Sequence, residues 1–118
     1  MKTYKRELEG SHDHLFCGHW NGSPIEIGMQ PELLKEIPEA ETYHYHIYHE
    51  YYVVLEGEAE LTVEGDTVKF EAGKVVMIEP GESHSITWIH PEKGCRWVII
   101  KEKSEPNSKH VASKQTHI

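Results

Sequence analysis

The chain has 118 residues, 37% of them hydrophobic, and a formal net charge of -8 from 20 acidic and 12 basic side chains. That length admits one domain with one core, and an acidic surface without a basic stripe argues against nucleic acid as a partner. No apolar run approaches membrane-spanning length, Met1 to Gly10 is too polar for a signal peptide, and Cys17 and Cys95 lack C-x-x-C spacing. A reduced, cytoplasmic protein with no membrane partner is therefore expected.

Short alternating runs come first. Leu15-Phe16-Cys17 and Ile25 to Met29 read as strands, separated by the turn signal Asn21-Gly22-Ser23-Pro24. The stretch 31–41 carries Leu33, Leu34 and Ile37 between two prolines and is expected to be a loop covering a barrel edge. Tyr43 to Tyr48 and Glu50 to Leu55 are rich in aromatic and β-branched residues, and Glu56-Gly57 is expected to end the second run. Ala59, Leu61 and Val63 alternate with polar residues, and Gly65-Asp66 turns the chain into Thr67 to Phe70, which is a hairpin pattern.

Val75 to Ile78, Ser85 to Ile89 and Trp97 to Ile100 follow, each punctuated by Gly or Pro. About nine short strands without a convincing helix predict an all-β antiparallel sandwich or barrel. Residues 1–103 form the expected domain, and the polar stretch 104–118 is expected to be a mobile tail.

Histidine is the compositional outlier, with 10 residues. In a strand, His44 and His46 share a face, and Glu50 has the same parity. His84 follows the turn Pro80-Gly81-Glu82-Ser83 and can close the set from a neighbouring strand. Three imidazoles and one carboxylate suit a single divalent transition metal ion (Fe, Mn, Ni, Co or Zn). Such a site keeps a net charge near +1 and favours an anionic oxygen ligand. His12, His14, His19 and His49 lack partners spaced to complete a second site and are expected at the surface.

Other positions carry weaker expectations. Tyr52 and Trp88 share parity with the ligand residues and are expected to face the barrel interior, where they are candidate pocket residues. Tyr52 and Glu79 are the candidate acid–base groups. Arg96 shares parity with Val98 and Ile100, so it needs a partner: an anionic substrate or, more commonly, a Glu. Ser83 has no base in sight, and both cysteines are expected to pack in the interior.

His44-Tyr45-His46, Glu50 and Gly57 resemble the first cupin motif, and Gly73 with Pro80-Gly81-Glu82-Ser83-His84 resembles the second. The motif region spans 43–88. Pro38 stands where the first motif opens on Gly, Glu79 where the second has Pro, and Trp88 where it ends on Asn. The resemblance implies a double-stranded β-helix (jelly-roll) barrel with metal held by His44, His46, Glu50 and His84, and a homodimer. It also implies a small-molecule ligand. The leading expectation is a metal-dependent isomerase, epimerase or lyase acting on a small oxygen-rich anion such as a sugar derivative or hydroxy/keto acid. An Fe-dependent dioxygenase and a non-catalytic sugar or effector binder are the alternatives, because fold alone does not choose a chemistry.

Overall fold

A computed structural model describes residues 1–29, 32–39, 41–106 and 109–112. Among the described residues nine strands run in chain order: β1 (Leu15–Cys17), β2 (Glu26–Met29), β3 (His44–Tyr45), β4 (Glu50–Val63), β5 (Asp66–Glu71), β6 (Val75–Ile78), β7 (His84–Ile89), β8 (Cys95–Lys101) and β9 (His110–Val111). Among the described residues the one helical element is a 3-10 turn at His19–Asn21. The fold is all-β, as the short alternating runs predict.

All pairings are antiparallel. β4 is the spine. Its first half pairs with β6 and β8, and its second half pairs with β5 and β7. One layer therefore runs β1-β2-β8-β4-β6 and the other β5-β4-β7-β3-β9, with β4 shared. The expected strand end at Glu56-Gly57 is instead a crossing point within one 14-residue strand. The ladder to β8 slips between Val54 and Glu56, and Gly57 takes φ +82°. A Cβ at Gly57 would run into the carbonyl oxygen of Gly94, so only glycine fits there. The slip also changes which parity points inward: Glu50, Tyr52 and Val54 before it, Ala59 and Leu61 after it.

The core joins Tyr52, Val54, Ala59, Leu61, Phe70, Ile78, Ile86, Ile89, Cys95 and Trp97. The expected edge loop is fastened by Leu34, whose amide donates to the Cys95 carbonyl at 3.0 Å and whose carbonyl accepts from the Cys95 amide at 2.8 Å. Residues 31 and 40 of that loop lie outside the described residues. Tyr43 to Tyr48, expected as a full strand, is in strand conformation over His44–Tyr45 alone.

The stretch 104–118 is not simply a tail beside the domain. His110–Val111 lies against β3, pairing His44 with Val111 and Tyr45 with His110, and the Ala112 amide donates to the Tyr43 carbonyl at 2.9 Å. A two-residue strand gives no periodicity to read, which is why composition alone missed it. The remainder of the tail expectation, 107–108 and 113–118, lies outside the described residues.

The layer containing β8 is apolar on both faces. Ile27 and Met29 of β2, Val98 and Ile100 of β8, Tyr51 and Val53 of β4, and Val75 and Met77 of β6 alternate with the inward set and face out. Val75 and Met77 are 59% and 44% exposed.

Candidate metal centre

Three strands converge on one point. His44 opens β3, Glu50 opens β4 and His84 opens β7, while His46 follows β3 directly. His44 and His84 are directly paired across the ladder, which fixes their spacing. All four side chains are buried, and their donor atoms lie within 4.8 Å of one another. Nε2 of His84 lies 2.9 Å from Glu50 Oε1, and Nε2 of His46 lies 3.6 Å from the same oxygen.

Backbone carbonyls set the state of two imidazoles. Nδ1 of His44 is 2.8 Å from the Thr42 carbonyl, and Nδ1 of His84 is 3.0 Å from the Glu82 carbonyl. A carbonyl only accepts, so both Nδ1 atoms carry the proton, and Nε2 is the nitrogen that each ring turns toward the cluster. The Tyr48 hydroxyl stands 3.2 Å from Nδ1 of His46. Burial pushes the His44 imidazole down to about 4, so it is neutral at physiological pH. Burial alone would raise the Glu50 carboxyl. The neighbouring His84, Lys101 and His46 outweigh it and hold the group below its ordinary value.

This donor set fits a divalent transition metal. Glu50 Oε1 and His84 Nε2 are both buried and lie 2.9 Å apart. A buried carboxylate oxygen and imidazole nitrogens that converge on one point are the donors a divalent cation takes. Nitrogen and oxygen donors favour Fe, Mn, Ni, Co or Zn.

The remaining expected residues divide. Tyr52 lies inside, 4% exposed, with its ring 5.9 Å from that of His84 and 5.4 Å from that of Phe70. Burial and the carboxylates of Glu50 and Glu41 push its phenol well above 10, so it stays protonated. Trp88 does not face the interior. The β4–β7 ladder pairs Glu60 with Trp88 but Leu61 with Ile86, so Thr87 is an extra residue. Beyond that bulge the parity reverses, Ile89 turns inward, and Trp88 is 37% exposed.

Arg96 shares parity with Val98 and Ile100 as expected, but that face is the outer one. Its guanidinium lies 3.6 Å from Glu56 and 3.9 Å from the Met29 sulfur, away from the metal centre. Glu79 is exposed in the turn, and its amide donates to Glu82 at 2.8 Å. Neither Arg96 nor Glu79 reaches the cluster.

Two interior groups escaped the sequence reading. Lys101 on β8 stands directly between Glu26 on β2 and Glu50 on β4, and pairs with Glu26 at 3.2 Å. Cross-strand register of this kind is not visible in a sequence. Glu41 precedes β3, and its Oε2 accepts the Ile86 amide at 2.9 Å. Its proximity to the histidine pair was a possible signal, hidden by the Pro-bounded loop around it.

Residues 34–101 match the family model of the cupin domain. The chain belongs to the cupin family. Among curated proteins none matches its sequence. Solved structures share the fold at low identity. A cupin protein from Bacteroides fragilis superposes with a TM-score of 0.60 at 16% identity, covering 100% of this chain and 98% of its own. An RmlC-like cupin with a double-stranded β-helix fold from Methanocaldococcus jannaschii gives 0.64 at 15%, covering 87% and 91%. An oxalate decarboxylase variant from Bacillus subtilis gives 0.56 at 17%, over 75% of this cupin but only 24% of the decarboxylase.

Proposed function

We propose that this cupin is a metal-dependent enzyme of the isomerase, epimerase or lyase type, acting on a small oxygen-rich anion such as a sugar derivative or hydroxy/keto acid. The observation that carries the reading is the buried cluster of His44, His46, Glu50 and His84, with the Nδ1 atoms of two imidazoles held by backbone carbonyls. A divalent ion held there supplies Lewis acidity toward substrate oxygens and offsets negative charge that develops during reaction. The four side chains carry one negative charge between them, so a divalent site keeps room for an anion.

The protein's own groups supply the rest. Tyr52, held protonated beneath His84, is a hydrogen-bond donor rather than a proton source. The apolar floor of Phe70, Ile86 and Leu61 keeps the inner end of the barrel dry and strengthens every polar contact above it.

Elemental analysis of natively purified protein tests the first half of the reading: one transition metal per chain is expected, and none in His84→Ala. Turnover of hydroxy and keto acids or sugar acids tests the second half. Oxygen uptake by the Fe-loaded protein would replace the isomerase reading with the dioxygenase one. A ligand retained unchanged across all metals would replace it with a binding role.

We further propose a homodimer in a reducing, cytoplasmic setting. Cys17 and Cys95 are both free and buried, and burial raises the Cys95 thiol to about 11, which leaves it inert. The outer face of the β8 layer, with Val75 and Met77 at its edge, supports the dimer because a sheet that is apolar on both faces gains by covering the second. Light scattering should give twice the chain mass, and Met77→Lys should reduce it to one.

A further inference from the structure

Three neighbouring strands put one charged side chain each into a single row at the metal end of the barrel. In register, Lys101 of β8 has Glu50 of β4 on one side and Glu26 of β2 on the other. β8 alternates without a bulge of its own, so Lys101 points the same way as the buried Cys95 and Trp97. Side chains directly opposite on adjacent strands stand about 5 Å apart at Cβ, so the ammonium has both carboxylates within reach. It sits on Glu26. Nζ lies 3.2 Å from Glu26 Oε2, and among the described residues no ion pair joins it to Glu50.

Glu26 is fixed from its far side. The Ser104 hydroxyl lies 3.1 Å from Glu26 Oε1, and the same oxygen is 2.8 Å from the His19 amide and 2.9 Å from His19 Nδ1. An amide only donates and a carboxylate only accepts, so the hydroxyl proton lies on the Glu26 side. Both carboxylate oxygens are thereby used, one by Ser104 and one by Lys101. The pair is largely buried, with 11% of the Glu26 side chain and 18% of the Lys101 side chain exposed. Glu50 instead turns Oε1 toward His84 and His46. An ammonium swung onto that carboxylate would occupy the group a metal needs and repel a dication from it.

We propose that Glu26 is a positioning residue of the metal centre: it holds the Lys101 ammonium away from Glu50 and so keeps that carboxylate open to a divalent cation. The inference rests on the metal-binding reading of the cluster and adds a residue that itself touches no metal. Glu26 acts through Lys101, so the two push affinity in opposite directions. Removing the Glu26 charge frees Lys101 to compete for Glu50, which weakens metal binding. Removing the Lys101 charge leaves no competitor, which tightens it. A role in folding alone produces no such opposition. Simple attraction between Glu26 and a dication does not produce the dependence on Lys101, because it persists whether or not the ammonium is present.

Zinc titration of the full-length protein against a competing chelator tests this, with His84→Ala as the blank for zinc held elsewhere. Glu26→Gln should weaken the His84-dependent site at least about tenfold, and Lys101→Met should tighten it by a similar factor. In the Lys101→Met background, Glu26→Gln should weaken it less than about threefold. Ser104→Ala loosens one oxygen of Glu26 without removing an interior charge and should weaken binding about threefold. Unchanged affinity in Glu26→Gln, or an equal loss with and without Lys101, overturns the proposal. Weaker binding by folded Lys101→Met overturns it too. Where either interior variant fails to fold, Ser104→Ala decides, and unchanged affinity there overturns the assignment. Zinc that binds wild type and His84→Ala alike rejects the metal reading of the cluster, and the role of Glu26 with it.

Discussion

The two halves of β4 both reach the core but differ in what they bury. The second half turns Ala59 and Leu61 against Phe70 and Ile89, where removal from water is favourable for each side chain. The first half begins on Glu50, 2% exposed, among three buried histidines. There, removal from water costs free energy that His84, Lys101 and His46 have to offset. The contrast teaches that this barrel has a stabilising end and a receiving end on the same strand. A bound metal would repay at the second what the first already supplies.

Phe70→Ala strikes the stabilising end and should lower unfolding free energy by about 4 kcal/mol in urea melts, metal present or not. Glu50→Gln strikes the receiving end. With metal at a thousandfold its dissociation constant, wild type should gain about 4 kcal/mol, and most of that gain should vanish in the variant. Without metal the variant should lose less than it does with metal, the loss being that of a carboxylate held ionised by His84, Lys101 and His46. A large metal-free loss in Glu50→Gln would show that the contrast is misdrawn.

A smaller effect follows from pH in the metal-free protein. His44 is depressed to about 4 when folded and takes its proton near 6.5 when unfolded. Between those values the unfolded chain binds more protons, so stability falls as pH is lowered through the window and levels off below it. The loss is up to about 3 kcal/mol, and His44→Asn should flatten the slope measured by denaturation between pH 7 and 4. The smallest effect is expected outside the barrel. Arg96→Ala removes an exposed pair with Glu56 and should cost less than about 1 kcal/mol, with metal affinity unchanged.

Much of the metal centre was legible because it depends on local parity and short spacing. His44, His46 and Glu50 keep one face over seven residues, and the Pro80–Ser83 turn delivers His84 opposite His44. What was not legible depends on register. One extra residue at Thr87 turned Trp88 out of the barrel, and nothing in the alternation announces a bulge. Arg96 was assigned to the correct face of its strand, but a strand that is apolar on both sides does not say which face is inner. Glu41 lay in a stretch without periodicity, and its contact with the Ile86 amide depends on how the strands pair.

β4 has a further consequence for how the molecule is made. All four strands that pair with it follow it in the chain, and its first residue, Glu50, lies between Ile78 and Lys101. The hairpin with β5 closes over a two-residue turn and can form early. Glu50 gains its full set of neighbours only after synthesis has passed position 101, and His44 gains its outer neighbour only after Val111. During biosynthesis the end that carries His44, Glu50 and His84 is therefore completed late.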